Sequence, residues 1–167
     1  TRNTHLRTEA ATVLGLEPDN VTRADIQKLI LWAELNDTDN VRCCPYSGTP
    51  INLSMALSSE VEIEHILPFA QTFDDSLNNK TLALRRANRI KGNRTPWEAR
   101  EDFASQGWVF DDIITRAAKM PKQKGYRFTE QGYARWLGDH RDFSSRALND
   151  TRYLSRIAKD YVRLICP

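Results

Sequence analysis

A carboxylate, an imidazole and two carboxamides stand at spacings that suit metal-dependent hydrolysis. Glu64 and His65 are adjacent at the end of a β-branched run, and Asn79 and Asn88 follow the histidine by 14 and 23 positions. Carboxylate and carboxamide oxygens are hard ligands of the kind that Mg²⁺ accepts, and imidazole titrates near neutral pH. These groups can activate water and stabilise a departing oxygen, so they predict a one-metal phosphodiester nuclease.

Each candidate is assigned a role on this basis. Glu64 and Asn88 are the predicted ligands of one Mg²⁺, with Mn²⁺ expected to substitute. His65 is the predicted general base, and loss of such a base typically costs on the order of 10²–10⁴-fold in rate. Asn79 is better suited to organising the intervening loop than to binding metal. The alternative interpretations are structural, since single histidines in strands and asparagines in turns are common.

Basic residues surround the second asparagine with no acidic residue between them. The net charge of the chain is only +2, but clustering matters more than total charge for binding to nucleic acid. A basic run can also be the solvated face of a helix. The candidate phosphate contacts are Lys80, Arg85, Arg86, Arg89, Lys91 and Arg94.

Composition narrows the class of protein. The 167 residues suit one domain, or a small domain with attached helices, and no apolar run of about 18 residues predicts a membrane span. Cys43, Cys44 and Cys166 form no disulfide framework, and no second ligand pair completes a zinc site. Reduced thiols favour a cytoplasmic location. A first residue other than Met and a last residue inside a helical pattern suggest an excised piece of a larger protein.

Local patterns predict the elements that must position the candidate groups. Residues 22–35 predict a helix capped by Thr22. Segments 41–44 and 49–52 predict a short hairpin, and Val61–Glu64 predicts a strand stopped by a proline.

The second half of the chain is predicted to be largely helical. After an ordered turn that ends at Asn79, residues 81–91 predict a helix that ends at Gly92, which gives the local order strand, loop, helix. Further helices are expected at about 97–104, 109–119, 129–138 and 142–164, with a break at 121–125.

Three segments together resemble the His-Asn-His (HNH) endonuclease family, namely Glu62–Phe69, Asp74–Thr81 and Ala87–Pro96. More narrowly, they are similar to the HNH domain of CRISPR type II effector nucleases, in particular the type II-C branch. Cys44–Gly48 and Leu148–Tyr153 match the same group. The resemblance implies an α+β, mostly helical fold, in which flanking and linker helices surround a small ββα-metal core. It also implies the ligand, base and loop roles assigned above.

The resemblance further implies a substrate and partners. It implies cleavage of the target DNA strand in an RNA–DNA heteroduplex, within a bacterial cytoplasmic effector that holds guide RNA. Residues 1–40 would be a helical lead-in, 41–120 the nuclease core, and 121–167 a helical region and linker toward a RuvC-type domain. Helices on both sides would let the core swing as a unit. The isolated fragment is expected to be monomeric.

Two departures from the family pattern and two alternative functions remain open. Glu64 replaces the more usual Asp, and its extra methylene moves the carboxylate by about 1.5 Å, so coordination could be direct, bidentate or through water. Asn88 stands where other HNH enzymes often have His, which favours oxygen coordination. The alternatives are a stand-alone homing or restriction-type HNH enzyme and an inert helical interaction module.

Overall fold

The computed structural model describes residues 2–36 and 41–139, with side chains from residue 4 onward. The predicted helix 142–164 and the segment Leu148–Tyr153 lie outside the described residues. The chain divides into two compact units, 1–133 and 134–167. Residues 130–133 of the first unit and 134–139 of the second are helical.

The first unit is mostly helical with one two-stranded sheet. The helices are α1 (Arg2–Leu14), α2 (Arg23–Ala33), α3 (Leu53–Leu57), α4 (Phe69–Thr72), α5 (Arg85–Lys91), α6 (Arg100–Ser105), α7 (Phe110–Ala117) and α8 (Lys122–Gly125). The strands are β1 (Val61–His65) and β2 (Lys80–Leu84), and short 3₁₀ turns occur at Pro18–Asn20, Leu77–Asn79 and Tyr126–Phe128. No helix in the described part of the chain is both long and apolar enough to cross a membrane.

The prediction of one helix over residues 81–91 is wrong. Its first four residues belong to β2, which pairs antiparallel with β1 from Val61 opposite Leu84 to His65 opposite Lys80. Helix α5 begins only at Arg85, and the local order is therefore strand, loop, strand, helix. Strand preference depends on packing against cross-strand neighbours, which a helical periodicity read along the chain does not detect. The result is the ββα arrangement that the family resemblance implied, so the predicted fold class is confirmed.

Other local predictions hold with shorter bounds. Helix α2 begins after Thr22, whose hydroxyl accepts a hydrogen bond from the Asp25 backbone while the Asp25 carboxylate accepts one from the Thr22 backbone. The predicted hairpin at 41–52 is reduced to a single bridge between Cys43 and Pro50. Helix α5 ends before Gly92, whose φ of 58° favours glycine. The predicted break at 121–125 contains the one-turn helix α8.

The ββα element is anchored to the main hydrophobic core. Tyr46 stacks on Phe103 with ring centroids 5.0 Å apart and contacts Phe128 at 5.7 Å. Leu82 of β2 is fully buried in the same core. Burying each such side chain contributes about 1.5–3 kcal/mol. Because Leu31 of α2 and Phe128 belong to this core, its residues extend beyond the predicted nuclease segment 41–120, whose boundaries remain a prediction.

Candidate active site

The three predicted catalytic residues line one open cleft of about 360 Å³. Glu64 and His65 come from the end of β1, and Asn88 comes from α5. Phe69, Arg89 and Lys91 are also in its wall. The ββα arrangement creates this proximity because β2 returns along β1 and delivers the chain directly into α5.

Glu64 is held between a phenol and an ammonium group. Its side chain is 1% exposed, and its Oε1 lies 2.8 Å from Nζ of Lys91, which is 2% exposed. The Tyr46 hydroxyl donates a hydrogen bond of 2.8 Å to Oε2. Burial raises the pKa of Tyr46 well above its usual value, and the negative charge of Glu64 adds to the effect. The phenol therefore remains a donor across the physiological range.

Asn88 is oriented by a second carboxylate that the sequence analysis did not select. Asn88 Nδ2 donates to Glu62 Oε2 at 2.9 Å, and Arg85 Nε donates to the other oxygen at 2.7 Å. The hydrogen bond from Asn88 holds the pKa of Glu62 below its ordinary value despite partial burial, and Arg85 reinforces it. The two-residue repeat of a strand was a usable signal, because it places Glu62 on the same face as Glu64.

His65 contacts an aspartate from the β1–β2 loop. Its Nε2 lies 2.9 Å from Asp75 Oδ1, and Lys80 Nζ lies 2.7 Å from the same oxygen. The Phe69 ring packs against the imidazole at a centroid distance of 5.2 Å. Asp75 lies within the segment Asp74–Thr81 that carries the family resemblance, but it was not selected as a candidate site residue.

Asn79 closes the β1–β2 loop from inside. Its fully buried side chain accepts a hydrogen bond from the Leu67 backbone N–H at 2.9 Å. It donates to the carbonyls of Leu67 at 3.0 Å and Asp74 at 2.9 Å. These are contacts that the predicted loop-organising role requires, and none of them reaches the cleft.

The six predicted phosphate contacts do not form one exposed strip. Lys80 and Lys91 are buried and paired with carboxylates, while Arg94 pairs with Asp102. The exposed members are Arg85, Arg86 and Arg89 on α5. These three arginines also line a second groove, next to Leu84 and Ile90.

Comparison with known protein families identifies the ββα element and its cleft. The sequence model of the HNH endonuclease family matches residues 44–97, which contain the ββα element and the cleft residues. The chain therefore contains an HNH endonuclease domain. The predicted nuclease activity class and the HNH resemblance are thereby confirmed.

Curated relatives of this HNH domain include CRISPR-associated endonucleases. Cas9 1 of Streptococcus thermophilus is 36% identical over 136 residues, covering 78% of this chain and 12% of that protein. Cas9 of Campylobacter jejuni is 33% identical over 151 residues, covering 90% of this chain and 14% of that protein. The chain thus spans only a small fraction of the length of either relative.

Solved structures show the same fold. Streptococcus thermophilus Cas9 in complex with the AGAA PAM matches with a TM-score of 0.59 at 27% identity, covering 77% of this chain and 13% of that one. The type II-C Cas9 of Actinomyces naeslundii matches with a TM-score of 0.57 at 18% identity, which supports the fold alone. Membership of the type II-C branch therefore stays a prediction.

The HNH cleft fits a divalent cation in its donor set. HNH nucleases of the Cas9 class are generally metal-dependent. Oε1 of Glu64 is buried and receives no hydrogen bond of ordinary geometry, although the Lys91 ammonium group neutralises it. The Asn88 carboxamide is anchored through its nitrogen, which leaves its oxygen available as a ligand. Both donors are oxygens, as Mg²⁺ requires.

Proposed function

We propose that the HNH domain hydrolyses a phosphodiester bond in the DNA strand paired with guide RNA, using one Mg²⁺ and His65 as general base. The observation that carries the proposal is the meeting of Glu64, His65 and Asn88 in one cleft. The Cas9 relatives support the choice of substrate, because in this effector class base pairing with a guide selects the target strand.

The two oxygen donors are the proposed metal ligands. When bound, Mg²⁺ supplies positive charge that polarises the phosphoryl group and stabilises the departing oxygen. Mn²⁺ is expected to substitute, since it also accepts carboxylate and carbonyl oxygens. Lys91 Nζ lies 2.8 Å from Oε1 of Glu64, so direct coordination through that oxygen would have to compete with the ammonium group.

Two further residues have proposed roles, one in proton transfer and one in holding the loop. His65 lies at the cleft and accepts a proton from the attacking water through a ring nitrogen. Asn79 keeps the loop after β1 closed and thereby fixes the direction in which the His65 backbone leaves the strand.

The exposed face of α5 is the proposed phosphate track. Arg89 lines the catalytic cleft and also the second groove, where Arg85 and Arg86 lie. A DNA backbone that crosses α5 between the two grooves would meet these guanidinium groups in succession. Such contacts position a strand without reading its sequence, and their strength falls with salt.

The proposal extends to the larger protein that would contain this domain. The relatives are far longer than this chain, and both are CRISPR-associated Cas9 endonucleases. We therefore assign the HNH domain to a larger guide-RNA effector, in which a RuvC-type domain would be its neighbour.

A Mn²⁺ titration of the ¹⁵N-labelled chain tests the metal site directly, first alone and then with an RNA–DNA heteroduplex. Paramagnetic broadening is expected at residues 64–65 and 88, with reversal by excess Mg²⁺. Glu64→Gln should abolish it, while Glu101→Gln should not, because Glu101 is an 86% exposed acid on α6. Absence of local broadening with the heteroduplex bound would overturn the one-metal assignment.

Cleavage of labelled strands tests the substrate. Metal-dependent cutting of the DNA strand in the heteroduplex, lost in His65→Ala, is the expected result. Cutting of DNA duplex at a defined sequence without RNA would instead identify a stand-alone HNH enzyme. Partner binding retained by a triple Glu64, His65 and Asn88 alanine variant, with no cleavage by the parent, would identify an inert interaction module.

A further inference from the structure

One exposed carboxylate connects His65 to a buried lysine. In the antiparallel register, His65 is directly opposite Lys80, so the two side chains leave the same face of the sheet. Asp75 comes from the loop that joins the strands, and its Oδ1 contacts His65 Nε2 at 2.9 Å and Lys80 Nζ at 2.7 Å. A single carboxylate oxygen of Asp75 is thus the partner of both side chains.

The acceptor character of Asp75 selects the tautomer of His65. The hydrogen bond from Lys80, followed by that from His65, holds the pKa of Asp75 below its ordinary value. An ionised carboxylate can only accept hydrogen bonds, so a neutral imidazole bonded to it must carry its proton on Nε2. The unprotonated nitrogen is then Nδ1. A general base needs such an unprotonated nitrogen in order to accept a proton.

The loop around Asp75 is braced, although the Asp75 side chain is 66% exposed. The preceding residue, Asp74, accepts a hydrogen bond from the Ser76 backbone at 2.9 Å and pairs with Arg127 at 2.8 Å. The Asp74 carbonyl accepts from buried Asn79. On the other side, the Lys80 side chain is only 8% exposed and has little freedom to leave the carboxylate. Asp75 is therefore held by its neighbours on both sides.

We propose that Asp75 is the positioning residue of His65, which fixes its ring orientation and its Nε2–H tautomer, and that Lys80 anchors Asp75 instead of contacting phosphate. The functional part of this inference rests on the proposed role of His65 as base. Residues that orient metal-binding histidines typically contribute about 10–100-fold to metal affinity or activity, and we expect an effect of the same size for a histidine that acts as base.

The test compares Asp75→Ala and Asp75→Asn by ¹⁵N NMR of the imidazole ring at about pH 8.5, where imidazole is ordinarily neutral. The chain has three histidines, so His65→Gln assigns the signals of His65. The wild type should show the Nε2–H tautomer almost alone. Asp75→Ala should give a mixture of tautomers, and Asp75→Asn, which keeps an acceptor oxygen, should largely restore the wild-type pattern. Asp112→Ala, an exposed acid on α7, is the matched control.

Cleavage of the heteroduplex gives the second readout. Asp75→Ala should lower the rate about 10–100-fold, and Lys80→Met should lower it in the same direction with unchanged salt dependence of binding. An unchanged tautomer population in Asp75→Ala would overturn the inference while leaving the proposed nuclease intact. A changed population without any metal-dependent cleavage by the wild type would support the positioning contact and overturn the proposed function.

Discussion

At the scale of single residues, the unusual feature is a buried carboxylate between a buried lysine and a buried tyrosine. Taking an ion out of water costs several kcal/mol unless a partner charge and hydrogen bonds compensate. Lys91 supplies the charge to Glu64 and Tyr46 supplies the hydrogen bond. Glu64 therefore has both a charge partner and a hydrogen-bond donor within the cleft before any divalent cation is considered.

Lys91→Met should lower the free energy of unfolding by about 3–5 kcal/mol at neutral pH, because it leaves the Glu64 charge uncompensated. Mn²⁺ or Mg²⁺ should restore part of this loss by binding the folded state. Urea unfolding at increasing cation concentration measures both effects. Lys124→Met is the matched control, since Lys124 is equally buried and pairs with Glu34 away from the cleft. Equal cation effects on the two variants would contradict the prediction.

Tyr46→Phe should destabilise the fold by about 1.5–3 kcal/mol, the usual range for a hydrogen bond to a charged group. The ring stays in the core, so the loss reports the hydroxyl that donates to Glu64. Chemical denaturation at pH 7 provides the measurement. Tyr126→Phe should have little effect, because Tyr126 is 42% exposed. A loss in Tyr46→Phe no larger than in that control would argue against the contact.

At the scale of elements, the β1–β2 loop depends on one interior asparagine. The Asn79 side chain supplies hydrogen-bond partners to three backbone groups that would otherwise lack them, two on Leu67 and one on Asp74. A buried polar group without a partner is costly, so the side chain stabilises one loop conformation over many others. That conformation is also the one in which Asp75 meets His65.

Asn79→Ala should accelerate amide exchange at Leu67 and lower stability, by about 1–3 kcal/mol for each polar group left unsatisfied. Metal binding at Glu64 and Asn88 should survive, because the side-chain hydrogen bonds of Asn79 go to Leu67 and Asp74. Hydrogen exchange followed by NMR checks the first effect and Mn²⁺ broadening checks the second. The neighbouring Asn78→Ala is the control, since Asn78 is exposed. Unchanged exchange at Leu67 would exclude the bracing role.

At the scale of the first compact unit, distant segments hold the active-site elements in place. Arg116 of α7 donates to the carbonyls of Pro45 and Tyr46, each at 2.9 Å, and so supports the residue that bonds Glu64. Arg127, from the 3₁₀ turn after α8, pairs with Asp74 in the β1–β2 loop at 2.8 Å. Helical segments that follow the ββα element in sequence thus contact both sides of the site.

The Asp74–Arg127 pair should make stability depend on pH. Burial alone would raise the pKa of Asp74, but hydrogen bonds from Ser76 and Arg127 outweigh it and hold the value below the ordinary one. A lowered folded-state pKa stabilises the fold above the unfolded value of about 3.9, and the contribution is lost as pH falls through the folded value. The stability difference between wild type and Asp74→Asn, about 1 kcal/mol, should therefore shrink between about pH 5 and pH 2.

Urea unfolding of both proteins across that range measures the difference. Arg127→Met provides the comparison, because the pH-dependent part of the difference should fall when Asp74→Asn is made in that background. A difference that stays constant down to pH 2 would show that the pair does not contribute.

The sequence by itself determined features that depend on neighbouring residues. The Thr22 cap of α2 and the stop at Gly92 follow from interactions within about four positions. The alternation of apolar and polar residues over Val61–Glu64 indicated the strand that the structure extends to His65. The segment order around Glu64, His65, Asn79 and Asn88 was sufficient to indicate the HNH family, which the family match confirmed. The catalytic roles of these residues stay predictions.

Only the tertiary structure decided which groups meet. Strand β2 was read as helix because its partner lies about 20 positions earlier, beyond any local periodicity. Tyr46 and Lys91, which are the two partners of Glu64, come from separate parts of the chain. Asp75 reaches His65 only when the loop folds around Asn79. Two predicted phosphate contacts, Lys80 and Lys91, are buried and paired with carboxylates instead. A lysine that is removed from water must be paired with an opposite charge where it lies. The folding of the chain, and not the sequence spacing, brings the carboxylate to the lysine.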